Sequence, residues 1–404
     1  MTGESTLQAR RLRVVIQQPA LTKYRVPVFR GLADHPSVQL TVVYGQDAGV
    51  PNVAAEGFEA VRRDHRNLGP FVWSSAQLDY ADPAVCDVLV LVWNTRWLSL
   101  PLALRKARRH GIRTVVWGHG YSKNEARWRA ALRKRIGGMA DGILFYSRRI
   151  ADRYIADGTE PARVFVAPNA LDQRPIRAAG AEWLNAPERL RDFQRKHGLE
   201  HGRGVILYCS RFDPANRVDL LLTAVAQLTQ AAPKLRLVLI GKANAERERL
   251  EELAESLGIS GSVTFTGAIY AEAELAPWFL SADVFCYPQN IGLSILHAFG
   301  YGLPVVTADD PDIQNPEFEA LQPGVNGATY RTGDPEALAA ALMPYLRSEL
   351  SDEARRTLRQ ACLASADAYG LDQMLGGYLA ALDPTSARAA ATPPPLAEAR
   401  PPCT

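Results

Sequence analysis

Residues 283 to 306 read Asp-Val-Phe-Cys-Tyr-Pro-Gln-Asn-Ile-Gly-Leu-Ser-Ile-Leu-His-Ala-Phe-Gly-Tyr-Gly-Leu-Pro-Val-Val. Their order predicts a buried strand, a polar loop closed by Gly292, a short apolar helix start, and Gly302-Leu303-Pro304 opening a further strand. A helix that begins at a glycine-containing loop on the C-terminal edge of a parallel sheet presents unpaired N–H groups and the positive end of its dipole. Such an arrangement suits a phosphate or diphosphate.

Short β-branched runs alternate with helix-length segments on both sides of this stretch. A first series lies at 13–17, 40–44, 88–93, 114–117, 142–146 and 164–167; a second at 205–209, 235–240, 263–266, 284–287 and 304–307. Runs of this apolarity belong to parallel sheets covered on both faces, so two series imply an α/β chain of two doubly wound domains. Between 172 and 203 the alternation is interrupted by Pro175, Gly180, Pro187 and a His-Gly-Leu-Glu-His-Gly run, which marks the linker. We expect a first domain over 1–185 and a second over 186–365. An Ala/Pro-rich segment, 386–404, reads as a disordered tail.

The chain has 404 residues, 47% apolar and 22% charged, as in globular proteins of two domains. No run approaches the roughly 18 apolar residues of a membrane span, and the polar, basic start up to Arg13 lacks an apolar signal core, so a cytoplasmic protein is expected. Five Cys residues, at 86, 209, 286, 362 and 403, show no metal or disulfide spacing and read as small buried hydrophobes. The net charge of +3 conceals an asymmetry: residues 1–180 hold 27 Lys and Arg against 15 Asp and Glu. A basic first half suits anionic lipid or an acidic polysaccharide. It lacks a nucleic-acid recognition motif, and nucleic acid is not expected as a partner.

The 283–306 stretch resembles the donor-binding signature of the family 4 (group 1) retaining glycosyltransferases of the GT-B fold. That pattern has a Glu three residues before Gly-Leu and a second Glu eight residues after the first. Gln289 and His297 stand at those positions here. The resemblance implies two Rossmann-like domains facing across a cleft, with a C-terminal helix, expected over 366–385, crossing back to the first domain. It further implies transfer of a hexosyl-type sugar from a nucleotide-sugar to a hydroxyl acceptor with retention of configuration, as in cell-surface polysaccharide synthesis. No metal and no cofactor are implied, the nucleotide-sugar being a substrate. Gln289, Asn290, Ile291, Gly292 and Leu293 would form the donor loop, with His297 at the ribose.

Ser210 to Asp219 (Ser-Arg-Phe-Asp-Pro-Ala-Asn-Arg-Val-Asp) resembles the family segment whose Arg and Lys neutralise the donor diphosphate. Cations there stabilise the departing nucleotide electrostatically. Arg211 matches; Asn216 holds the Lys position, and Arg217 is the nearest substitute cation. In the first domain, Val115-Val116-Trp117-Gly118-His119-Gly120 ends a strand in a glycine-flanked His. The resemblance gives His119 the transferring sugar, for positioning and transition-state hydrogen bonding; a structural histidine is the other reading. Pro316-Glu317 resembles the family's Pro-Glu, while Glu317 could also serve as a helix N-terminal acid and Glu319 as part of a solvated loop.

Asp309-Asp310-Pro311-Asp312 reads as a loop and not as a metal site. Tyr24 and Arg25, in the loop after the first strand, either face the cleft from the acceptor side or simply start a helix. Arg127, Trp128, Arg129, Arg133, Lys134 and Arg135 form a basic helical segment, either solvated or in weak peripheral contact with anionic headgroups on the inner face of the membrane. A GT-B epimerase or phosphorylase lacks its diagnostic segments here, and no strand runs into Gly-x-Gly-x-x-Gly as in a dehydrogenase. The alternative of another class is a non-catalytic GT-B nucleotide-sugar-binding or partner protein, consistent with the changes at Gln289, His297 and Asn216.

Overall fold

Fifteen strands and fourteen α-helices are found in the computed structural model, which describes residues 10–47, 50–121, 126–200, 204–346 and 350–383. The first part contains β1 (Leu12–Gln18), β2 (Val38–Tyr44), β3 (Glu59–Arg62), β4 (Arg66–Leu68), β5 (Phe71–Trp73), β6 (Val88–Val92), β7 (Arg113–Gly118), β8 (Gly142–Phe145) and β9 (Val164–Val166). The second contains β10 (Val205–Cys209), β11 (Arg236–Ile240), β12 (Val263–Gly267), β13 (Val284–Cys286), β14 (Val305–Ala308) and β15 (Gly327–Tyr330). Helices α1 (Val26–Asp34), α2 (Ser75–Asp79), α3 (Leu100–Arg109), α4 (Arg127–Gly137) and α5 (Arg148–Ala156) lie among the first strands. They are followed by α6 (Gln173–Leu184), α7 (Pro187–His197), α8 (Val218–Ala231), α9 (Ala245–Ser256), α10 (Glu272–Ser281), α11 (Ser294–Gly300), α12 (Pro335–Leu346), α13 (Asp352–Ala368) and α14 (Leu371–Leu382).

The first sheet runs β3-β2-β1-β6-β7-β8-β9 and the second β12-β11-β10-β13-β14-β15, with every pairing parallel. Successive residues of a strand face opposite sides, and the burial follows this: Val14 and Ile16 enter one core of the first domain, Val15 the other. Strand order reverses between β1 and β6 and between β10 and β13. Chains leaving the two adjacent strands there turn to opposite faces, opening a crevice at their C-terminal ends. The segments singled out in the sequence leave the sheets beside these crevices: Lys23 to Arg25 after β1, Arg211 after β10 and Gln289 after β13.

The division of the chain differs from the expected one at both joints. Helix α6 lies before residue 185 yet packs in the second core: Ile176, Ala179 and Trp183 are buried there, and the Trp183 indole donates to Ala273 O at 2.8 Å. An amphipathic helix reports that it has an apolar stripe without reporting which core receives it. At the other end, α13 reaches Ala368 with Cys362 and Ala366 in the second core, and the helix that returns to the first domain starts at Leu371. Met374, Tyr378, Ala381 and Leu382 of α14 are buried with Val14 and Ile16, and Arg113 Nε donates to Ala381 O at 3.0 Å. The expected tail, 386–404, lies outside the described residues, as does Cys403. The four described cysteines are unpaired thiols, three of them buried.

Candidate active site

A cavity of about 920 Å³ lies between the C-terminal edges of the two sheets. Gly120, Tyr121 and Tyr154 line it from the first domain, and Arg217, Gln289 and Asn290 from the second. His119 is held by close backbone packing. A Cβ on Gly120 (φ +72°) would meet Phe145 Cε1 at 2.6 Å, and one on Gly118 would meet Trp93 O at 3.3 Å. The strand end can therefore approach its neighbours only because both flanks are glycine. His119 itself is exposed, with its ring 5.0 Å from that of Tyr146.

Arg211 leaves β10 exposed, and its guanidinium makes no hydrogen bond or ion pair among the described residues. Arg217 is differently disposed. It adopts φ 54° at the cap of α8 and is paired with Asp219 at 3.0 Å, so its charge is already matched within the protein. Asn216, at the position where the family carries Lys, is buried. Its Nδ2 donates to Tyr208 Oη at 3.0 Å and Arg211 O at 2.9 Å, while Oδ1 accepts from Asn290 Nδ2 at 3.2 Å. With its backbone O accepting from Gln289 N at 3.2 Å, Asn216 ties the Arg211 loop to the Gln289 loop.

The Gln289–Leu293 loop is fixed from below. Asn290 sits at φ 65° and its carbonyl accepts from Asn315 Nδ2 at 2.9 Å. Ile291 is buried, and its N–H donates at 2.7 Å to Gln314 Oε1. The Gln314 amide in turn anchors to Thr307 Oγ1 at 3.0 Å and Ala308 O at 2.9 Å at the end of β14. Gly292 lies beside Glu317, whose Oε2 is 3.9 Å from the position a Cβ would take. Leu293 caps α11, a helix of only seven residues. Its dipole is correspondingly short, so the helix start alone makes a weak anion site.

His297 does not stand alone. Its Nε2 lies 2.7 Å from Glu272 Oε1, the same oxygen that accepts the Tyr301 hydroxyl at 2.6 Å, and Phe279 is 4.6 Å from its ring. Burial pushes the Glu272 carboxyl up, but the His297 bond and charge and the Tyr301 hydroxyl outweigh it and leave the group lowered. Lys23, from the first domain, also lowers it.

Two acidic residues after β14 bridge the domains. Glu317 is 5% exposed; its Oε1 accepts from Asn169 Nδ2 at 2.9 Å, and Oε2 has no partner. Burial pushes its carboxyl up. Glu319, compatible with a solvated loop in the sequence, instead accepts from the backbone N–H groups of Arg148 and Arg149, each at 2.9 Å, and from the Ser147 hydroxyl. Asp312 pairs with Arg149 at 3.1 Å, Asp309 accepts from the hydroxyl and N–H of Thr332 at 2.8 and 3.0 Å, and Asp310 accepts from Asp312 N at 2.9 Å. Asn169 and Glu272 had no sequence signal as site residues, because each acts on a partner 25 or more residues away.

Tyr24 is 40% exposed, whereas Arg25 is buried and held by Tyr146 and Asn169. On α4, Arg133 and Ile136 turn inward, while Trp128 (68%) and Leu132 (38%) are exposed beside Lys134 and Arg135. Among the described residues no helix is long and apolar enough to cross a membrane.

Two family models match: one described as glycosyl transferases group 1 over residues 203–348, the other as glycosyltransferase family 4 over 37–174. A GDP-mannose-dependent alpha-(1-6)-phosphatidylinositol monomannoside mannosyltransferase of Mycolicibacterium smegmatis is 32% identical over 52% of this chain and 56% of its own length. A D-inositol 3-phosphate glycosyltransferase of Streptomyces griseus is 28% identical over 74% of this chain and 69% of its own. The match thus spans little more than half of the first of these relatives. In three dimensions, a glycosyltransferase from Rickettsia africae superposes with TM-score 0.72 at 14% identity, over 92% of this chain and 97% of that one. Anabaena HepE, in complex with UDP, does so with TM-score 0.67 at 15% identity, over 91% and 98%. Two doubly wound domains, a cleft between their C-terminal edges, a returning last helix and both family matches agree: the chain belongs to the group 1, family 4 glycosyltransferases of the GT-B fold.

Proposed function

We propose that the protein transfers a sugar from a nucleotide-sugar donor to a hydroxyl acceptor. The observation that carries this reading is one cavity lined from one side by the His119 loop and from the other by the Gln289 and Arg217 loops. A donor seated on the second domain would lay its diphosphate against Arg211, whose guanidinium has no competing partner, and its sugar toward Gln289, Glu317 and His119. In the transfer the bond from the anomeric carbon to the diphosphate oxygen breaks, and a bond from that carbon to the acceptor oxygen forms. The acceptor proton passes to the departing diphosphate. Arg211 stabilises the negative charge that develops there. His119 positions the sugar. Retention of configuration and independence from metal are part of the proposal.

The relatives named above act with GDP-mannose or on inositol 3-phosphate, which supports an acceptor of the polyol or glycolipid class. The exposed Trp128 and Leu132 beside basic residues on α4 support weak peripheral contact with anionic lipid from the cytoplasmic side.

Thermal-shift screening with UDP-, GDP-, ADP- and dTDP-sugars tests the donor. Saturating ligand at 100 times Kd should add about 2.7 kcal/mol to the folded state. Arg211→Ala should lose most of that gain, and no shift with any of them would defeat the proposal. A second reading, binding without turnover, is favoured by the structural use of Asn216 and by the His297–Glu272 bond. Saturable binding with no product on any acceptor would decide for it.

A further inference from the structure

Arg25 is a buried cation of the first domain without a carboxylate partner among the described residues. It closes the turn Lys23–Arg25 after β1, its residue is 4% exposed, and its Nη2 bonds are to two neutral groups, Tyr146 Oη at 2.7 Å and Asn169 Oδ1 at 3.2 Å. No carboxylate pairs with it among the described residues, and Nη1 is buried without a partner. Three rings surround the guanidinium: Tyr24 at 5.2 Å, Trp117 at 5.0 Å and Tyr146 at 4.9 Å. Cation–π attraction from these faces, and the field of Glu317 relayed through Asn169, offset part of the cost of burying the charge. They leave its donor capacity open.

Other open groups converge here. Trp117 Nε1 and the Tyr378 hydroxyl, in the same core, are also buried without partners, and the Trp117 ring is one of the three that surround the guanidinium. The set is one cation and one N–H beside one hydroxyl, which complements an oxyanion and offers little to an apolar or cationic group. Access is short. The exposed His119 ring lies 5.0 Å from that of Tyr146, which holds Arg25, and Tyr24 is the one exposed ring of the three around the guanidinium.

We propose that Arg25 receives an anionic group, phosphate or carboxylate, carried by the acceptor. The inference rests on the reading that the acceptor enters from the first domain. Phosphate of a soluble polyol and phosphate of a lipid headgroup share this chemistry.

Isothermal titration of the full chain tests it with two soluble pairs, D-inositol 3-phosphate against inositol and glucuronate against glucose. Phosphatidylcholine vesicles with and without phosphatidylinositol provide the lipid arm. The expected result is at least tenfold preference for the anionic member of one pair or vesicle set, lost in Arg25→Gln and partly kept in Arg25→Lys. Donor-nucleotide affinity, measured in parallel, should be unchanged in both variants, which also shows that they fold. Equal binding of charged and neutral members in every arm would overturn the proposal, as would a preference that survives Arg25→Gln. Should Arg25→Gln fail to fold, Arg25→Lys carries the test, and a preference undiminished in it overturns the proposal. Absence of any nucleotide binding would instead defeat the glycosyltransferase reading, leaving the anion arms to report on Arg25 alone.

Discussion

The carboxylate of Glu319, in the second domain, caps the N-terminus of α5 in the first, accepting from Arg148 N and Arg149 N at 2.9 Å each. A carboxylate at a helix N-terminus meets both unpaired donors and the positive dipole end, a contribution of about 0.5–2 kcal/mol. Here the cap comes from the other domain, so its energy favours the closed cleft. Glu319→Ala should loosen closure and lower kcat/KM by about five- to thirty-fold, the factor that ~1–2 kcal/mol represents. Solution scattering should show a larger radius of gyration for the variant without nucleotide. Indistinguishable scattering and turnover would show that the cap does not govern closure.

How much of this was legible in the sequence depends on the range of the interaction. Val88 to Val92 or Val205 to Cys209 announce buried parallel strands because both faces are apolar, and Arg211 and His119 announce themselves because each follows such a strand directly. Strand β3 is an edge strand, Glu-Ala-Val-Arg, half exposed, and carries no such signal; the hairpin of β4 and β5, three residues to a strand, is likewise too short. The roles of Asn216 and Glu272 stayed hidden for another reason. Their partners are brought together by the fold of the second domain, and nothing in residue spacing places Glu272 against His297.

That pair offers the next expectation. The Glu272 carboxyl is held below its ordinary 4.5 despite burial, so it contributes stability above that pH and loses it as pH falls through the folded-state value. Glu272→Gln should therefore be less stable than wild type at pH 7, and the two should converge in acid. A double-mutant cycle with His297→Ala should return a coupling of about 0.5–3 kcal/mol by chemical denaturation. Additive effects would mean that the contact at 2.7 Å carries no energy.

Glu317 has the opposite sign. Burial raises its carboxyl above the ordinary 4.5, so the folded state holds the proton more tightly and stability is lost as pH rises through the folded-state value. Glu317→Gln keeps an oxygen for Asn169 Nδ2 and removes the buried charge. It should be at least as stable as wild type at pH 7, with no advantage at pH 4, while sugar transfer falls because Oε2 beside Gly292 is lost as a hydroxyl acceptor. Denaturation at both pH values with parallel turnover separates the two effects; a variant equally active at pH 7 would remove Glu317 from the proposed donor contacts.

Helix α14 lets adjacent glycines be set against each other. A Cβ on Gly377 would lie 2.1 Å from Val166 O and 2.7 Å from Ala167 Cα, both backbone atoms of the β9 edge that cannot rotate away. Gly377→Ala must therefore push the helix off the sheet, withdrawing Met374 and Tyr378 from the first core, at a cost of about 1–3 kcal/mol. A Cβ on Gly376 meets nothing within 4 Å, so Gly376→Ala should stabilise by about 0.5–1 kcal/mol through helix propensity alone. For domains of this size ~1 kcal/mol moves Tm by about 2–4 °C, so calorimetry should find the two variants displaced in opposite directions. Because α14 is the segment that returns from the second domain to the first, the Gly377 variant should also weaken whatever depends on closure, including the Glu319 cap. Equal and small shifts for both variants would mean that α14 is not seated on β9, and the return crossing would lose its role in holding the domains together.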